Sequence, residues 1–230
     1  MTAPIKTSTP PLVCWSCRSS TQGPLFCSIC GKLQQIPHEF DYFVLFGLPR
    51  KLRVDESELE RRFHDLSWKL HPDNYVRATE REQELSLEHS SELNDAYRTL
   101  CDPISRVEYL LALEGARREG EQRQQAPPEL LEEVFELNES LDELREARAA
   151  GHDLAGLRAR LEAAERDFQA KLAGVDAQLE SAFSEWDAAM DAGADEAVRK
   201  KLTSGMNELL NRRSYIRNLV SSVQKELAEA

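Results

Sequence analysis

Apolar residues recur at helical spacing along most of the chain, and strand-type alternation never runs for more than a few residues. Asp41 is placed to cap a short helix carrying Tyr42, Phe43, Leu45 and Phe46, which Gly47-Leu48-Pro49 ends. Asp55, with Glu58 three residues on, opens a second helix whose Leu59, Phe63, Leu66 and Leu70 share one face until Pro72 stops it. A third places Leu85, Leu93, Ala96, Tyr97 and Leu100 together. Asp102 and Pro103 then cap and start a shorter fourth helix reaching Leu113. The second and third helices, joined by a polar loop, predict an antiparallel hairpin.

Beyond Pro128 three further stripes follow. The first is Leu130, Val134, Leu137, Leu141 and Leu144. The second runs Leu154, Leu157, Leu161, Phe168, Leu172, Val175, Leu179, Phe183 and Trp186. The third is Val198, Leu202, Leu209, Ile216, Val220, Val223 and Leu227. Together they predict an antiparallel three-helix bundle. The chain therefore reads as all-α, in four segments: a cysteine-bearing extension over 1–38, a helical domain over 39–115, a polar linker over 116–127 and the bundle over 128–230.

Composition narrows the function. The 230 residues carry a formal charge of −12, which argues against nucleic acid as the main partner because phosphate neutralisation needs a basic surface. No apolar run approaches the roughly 20 residues of a membrane helix. Met1 to Pro11 show neither the apolar core of a secretory signal nor the Arg-rich face of a transit peptide, so neither is expected. A reducing compartment fits the cysteine usage: the cytoplasm of a bacterium, or an organelle matrix such as the mitochondrial one.

Four of the five cysteines form two Cys-x-x-Cys pairs, Cys14/Cys17 and Cys27/Cys30, with nine residues between them. Each pair can turn two thiolates toward one ion, and the two together complete a sulfur tetrahedron that suits structural zinc. Gly31 suits the tight turn after the second pair. Iron or an iron–sulfur group is chemically compatible with the same thiolates, and two redox dithiols are the remaining alternative. Cys101, at the end of an apolar helical face, reads as an inert buried thiol.

His71-Pro72-Asp73 falls between the second and third helices. Proline fixes the backbone there, so imidazole and carboxylate project from a rigid corner, where the carboxylate can take a two-pronged bond from a partner arginine. No nucleophile, phosphate loop or second catalytic cluster accompanies the pair, and an enzyme is not expected. With Asn94-Asp95-Ala96-Tyr97-Arg98-Thr99-Leu100 and Asp102-Pro103-x-x-Arg106, the segment from Asp41 to about Glu114 resembles the J-domain, the module that stimulates ATP hydrolysis by DnaK-type chaperones. Asp41-Tyr42-Phe43-x-Leu45-Phe46-Gly47-Leu48-Pro49 and Arg106-x-x-Tyr109-Leu110-Leu111-x-Leu113-x-Gly115 are similar to the HscB branch, co-chaperones of iron–sulfur cluster assembly. A four-cysteine extension also occurs in some members of that branch. Asn74 departs from the general J-domain pattern, in which a basic residue commonly follows the tripeptide.

The resemblance implies two partners. One is a DnaK/HscA-type ATPase chaperone met by His71, Pro72 and Asp73, with Arg61, Arg62 and Lys69 as the candidate basic surface of the second helix. Glu58, Glu60 and Asp65 interleave with those cations, so a mixed solvated face is the alternative. The other is an iron–sulfur scaffold protein met by Leu131, Phe135, Glu136, Glu139 and Glu143, with Tyr215 as aromatic neighbour. Leu131 and Phe135 lie about 100° to 140° from the centre of the Leu130 stripe, so they either widen the core face or form a partly exposed apolar pair. Glu132 stands where relatives often place an apolar residue. The competing readings are a metal-responsive or iron-handling protein, and a general J-protein for unfolded clients. Against the latter stands the absence of Gly/Phe-rich and β-type client segments.

Overall fold

The computed structural model describes residues 12–21, 25–35, 41–117 and 128–229. The expected linker lies outside the described residues from 118 onward, as do residues 1–11. The chain divides into two compact units, Met1–Tyr109 and Leu110–Ala230.

Among the described residues the first element of this unit is an antiparallel pair, β1 (Leu12–Val13) and β2 (Ser20–Thr21), too short to have left a strand pattern. Four helices follow: α1 (Tyr42–Leu45), α2 (Glu56–Leu70), α3 (Glu80–Cys101) and α4 (Pro103–Leu113), the last running across the unit boundary. Their starts are where capping chemistry places them. Asp41 accepts from the Phe43 N–H at 2.8 Å, Asp55 from that of Glu58 at 3.1 Å, and Asp102 from that of Ser105 at 2.7 Å. α2 and α3 pack as the predicted hairpin over Phe43, Leu52, Leu59, Leu70, Leu93, Ala96 and Leu100, all buried. Arg106 closes the far end. Its buried guanidinium donates to the α3 terminal carbonyls of Leu100 (2.6 Å) and Cys101 (3.1 Å) and to the carbonyl of Leu52 (2.6 Å) in the segment before α2. Cys101 is only half-buried, less enclosed than its place on the apolar face implied.

In the second unit α5 (Leu131–Ala150), α6 (Ala155–Asp191) and α7 (Glu196–Glu229) make the predicted bundle, a long α6–α7 hairpin with the shorter α5 against α6. The left-handed Gly151 (φ 69°) ends α5, and Gly193 (φ 70°) turns the chain after α6. The third stripe is corrected at its start. Val198 is exposed and Leu209 only half-buried, whereas Thr203, Met206 and Leu210 are buried. The seven-residue gap from Leu202 to Leu209 spanned two turns without fixing which neighbour points inward. No helix among the described residues is long and apolar enough to cross a membrane.

Candidate functional site

The two cysteine pairs fold as matching knuckles. Cys14 N–H donates to Ser19 and Arg18 N–H back to Cys14; Cys27 N–H donates to Lys32 and Gly31 N–H back to Cys27, each at 2.9 Å. The turn needs a left-handed residue four places after the first cysteine. Gly31 supplies it (φ 71°) in the second knuckle, but in the first Arg18 takes it (φ 60°), which no sequence signal marked. All four sulfurs lie within 4.8 Å of one another, with Cys14–Cys30 at 3.6 Å and Cys17–Cys27 at 3.7 Å. A tetrahedral ion with sulfur at about 2.3 Å requires sulfurs about 3.8 Å apart, so this donor set fits zinc or a similar thiophilic ion. A disulfide, at about 2.05 Å, does not describe it.

Backbone N–H groups already point at the sulfurs: Ser16 and Cys17 at Cys14, Ile29 at Cys27, each at 3.4 Å. Burial opposes ionisation of Cys14, yet the Cys17 and Ser16 N–H groups and the neighbouring thiols bring it down to about 6. For Cys30 the Lys32 N–H favours the thiolate, but burial and the other three cysteines push it up to about 11. Four sulfurs this close cannot all ionise unaided; a bound cation would release the remaining protons.

The second cluster is the corner after α2. His71 ends the helix, and Pro72–Tyr75 forms a 3-10 turn. His71 Nδ1 accepts from the Asp73 N–H at 3.3 Å and lies 3.5 Å from Asp73 Oδ2. The surrounding bonds hold the backbone and leave these two side chains in solvent. Asn74 donates to the Trp68 carbonyl (2.6 Å), Tyr75 to that of Lys69 (3.1 Å), and Ser86 and Ser90 of α3 to that of Leu70 (2.6 and 3.2 Å). Asn74 thereby serves as a C-terminal cap for α2. The Asp73 side chain is 85% exposed.

The α2 cations differ from one another. Arg61 forms a bidentate pair with Glu58 at 2.7–2.9 Å and reaches Asp65 at 3.4 Å. Arg62 binds Glu58 at 2.6 Å and donates to the carbonyls of Phe46 (2.6 Å) and Gly47 (2.7 Å), tying α2 to the end of α1. Lys69 is exposed in the last turn, beside Trp68, which is 77% exposed and was not marked by the helical pattern.

In the second unit Leu131 and Phe135 stand 54% and 65% exposed, while Leu130, Leu137, Leu141 and Leu144 are buried. Glu136, Glu139 and Glu143 are exposed on the same helix, and Glu143 pairs with Arg160 of α6 at 3.0 Å. Glu136 and Glu139 rim a cleft of about 590 Å³ between α5 and α6, with Phe168 in its lining. Tyr215 is half-buried on α7, three residues past Arg212, whose guanidinium meets Glu129 at the entry to α5 at 3.3 Å.

Comparison with known proteins agrees with these two units. Residues 41–109 match the DnaJ domain, and residues 126–224 match the HSCB C-terminal oligomerisation domain. The co-chaperone protein HscB homolog of Vibrio cholerae serotype O1 is 38% identical over 151 residues, 66% of this chain and 85% of that protein. The crystal structure of human co-chaperone protein HscB aligns with a TM-score of 0.65 at 28% identity, covering 93% of this chain and 97% of that one. The structure of chaperone HscB from Vibrio cholerae aligns at 0.54 and 28%, covering 81% and 96%.

Proposed function

The chain belongs to the HscB family of J-domain co-chaperones, and from that premise we propose that it is a non-catalytic adaptor between a DnaK/HscA-type ATPase chaperone and an iron–sulfur cluster scaffold protein. The observation that carries the reading is the contrast at the corner after α2: a backbone fixed by Asn74, Tyr75, Ser86 and Ser90, with the His71 and Asp73 side chains in water. A carboxylate presented this way loses little conformational freedom when it accepts a paired bond from an arginine of the chaperone. That contact stimulates ATP hydrolysis, and Lys69 adds a cation beside it. Arg62 ties α2 to the end of α1, so its role at the partner surface is secondary to its role in the fold, whereas Arg61 makes an exposed pair with Glu58 of its own helix and adds to the cationic face.

The scaffold docks on α5. Leu131 and Phe135 form the apolar centre, ringed by Glu136, Glu139 and Glu143, with Tyr215 as the neighbour from α7. An apolar centre inside an acidic rim suits a partner carrying basic residues around an apolar patch. Holding scaffold and chaperone on one chain raises their effective concentration for each other. Cys14, Cys17, Cys27 and Cys30 would hold zinc, whose binding would supply the folding energy of the knuckle segment. The reading is tested by measuring ATP hydrolysis of a DnaK-type chaperone with the wild-type chain and Asp73→Asn, with and without the scaffold. Wild type accelerates hydrolysis and the variant does not.

A further inference from the structure

α3 serves two clusters within the first unit. Its first three turns face the knuckle segment on one side. Glu82 Oε2 meets Lys32 Nζ at 2.6 Å, with the Glu82 side chain only 5% exposed. The Arg81 guanidinium lies 4.8 Å from the ring centre of Trp15, whose indole N–H donates to the Leu33 carbonyl at 2.6 Å. Buried His89 bonds through Nε2 to the Gln34 carbonyl at 2.7 Å.

The same turns also hold the His71–Asp73 corner. Thr79 caps α3 through its bonds with Glu82, the residue that Lys32 engages. Gln83 donates to the carbonyls of Val76 (3.1 Å) and Ala78 (3.3 Å), and Ser86 and Ser90 to that of Leu70. Glu82 and Gln83 are adjacent and Ser86 lies about one turn on, so the two tasks share the same turns of α3.

We infer that metal occupancy of the four-cysteine centre is coupled through α3 to the order of the His71–Asp73 corner, so that the metal-loaded chain is the competent activator; this regulation rests on the reading of that corner as the chaperone-facing site. A segment as small as the knuckles does not stay folded without its ion. Its loss removes Lys32 from a nearly enclosed carboxylate and the Gln34 carbonyl from a buried imidazole. An enclosed charge without its partner is strongly unfavourable, and the first turns of α3 open to hydrate it. Thr79, Gln83, Ser86 and Ser90 then lose the geometry that fixes the corner. Linkage is reciprocal: whatever disturbs Glu82 weakens metal binding.

The test uses the full chain, first chelated and then reloaded with Zn2+. In amide hydrogen exchange the N–H groups of Asn74, Ala78, Glu82 and Gln83, each bonded to a backbone carbonyl in this structure, exchange about tenfold faster in the chelated chain. Those of Leu179 and Val220 in the bundle do not change. Unchanged exchange at Asn74 to Gln83 overturns the coupling. Because cysteine variants can fail to fold the knuckles, Glu82→Gln, with all four cysteines intact, is titrated with Zn2+ against a chromophoric chelator. Its affinity falls several-fold below wild type and below the exposed control Glu80→Gln; wild-type affinity in Glu82→Gln overturns the coupling. Chaperone ATPase separates the two layers. Equal stimulation by chelated and loaded chains overturns the regulation, whereas no stimulation by either, with the exchange difference intact, overturns the reading of the corner.

Discussion

Arg62 lays its guanidinium across the end of α1, 2.6 Å from the Phe46 carbonyl and 2.7 Å from that of Gly47, while its Nε pairs with Glu58. Gly47 is left-handed there (φ 64°), and a Cβ on it would meet Arg62 Nη1 at 3.0 Å. Arg62 is therefore a brace between two helices. Arg62→Ala should destabilise the first unit by about 1–2 kcal/mol, because two terminal carbonyls lose a charged donor. Arg61→Ala, which removes an exposed pair, should change stability far less. Urea unfolding of both variants checks the difference.

His71→Gln and Asp73→Asn should leave the melting temperature of the first unit almost unchanged, since both side chains are mostly exposed. Both should abolish chaperone stimulation. Asn74→Ala should differ from both: it removes the bond to the Trp68 carbonyl and should lower stability by about 1 kcal/mol while weakening stimulation only in part.

Leu131→Ala with Phe135→Ala should cost about 2 kcal/mol or more of scaffold binding if the pair is a central anchor. Bundle stability should fall far less than in Leu137→Ala, where a cavity in the core costs roughly 2–5 kcal/mol. Calorimetric titration with the scaffold beside a thermal melt of each variant separates interface from core. Reversing Glu136, Glu139 and Glu143 to Lys should slow association and remove most of its salt dependence.

The bundle also has an acid-sensitive tie. Hydrogen bonds from Arg145 hold the carboxyl of Glu226 below the usual range against the effect of burial, and the charges of Arg145 and Arg148 add to this. A carboxyl lowered by folding contributes stability that is fully present above its unfolded range and disappears as pH falls through its folded value. Glu226→Gln should flatten that part of the stability profile below about pH 4.3, the ordinary glutamate value. Melting temperatures of wild type and variant across the acid range check it.

Local chemistry made much of the fold legible. The caps at Asp41, Asp55 and Asp102 and the α5 stripe all act within a few residues of one another, as does the rotation that sets Leu131 and Phe135 aside. What escaped was long-range or degenerate. The Lys32–Glu82 and Gln34–His89 contacts bridge 50 and 55 positions, and nothing in either stretch names its partner. Arg62 looks like any surface cation until α1 is folded against it. The gap of two turns between Leu202 and Leu209 left the inward face of α7 unfixed, and packing buries Thr203, Met206 and Leu210 there.

The most direct measurement is single-turnover ATP hydrolysis by a DnaK-type chaperone with the zinc-loaded chain, repeated with an iron–sulfur scaffold protein present. The adaptor account predicts stimulation by the chain alone and further stimulation with the scaffold. It also predicts that Asp73→Asn removes both, and that the Leu131/Phe135 double alanine variant removes only the scaffold's increment. Full stimulation by Asp73→Asn, or an undiminished scaffold increment in the double variant, would contradict it.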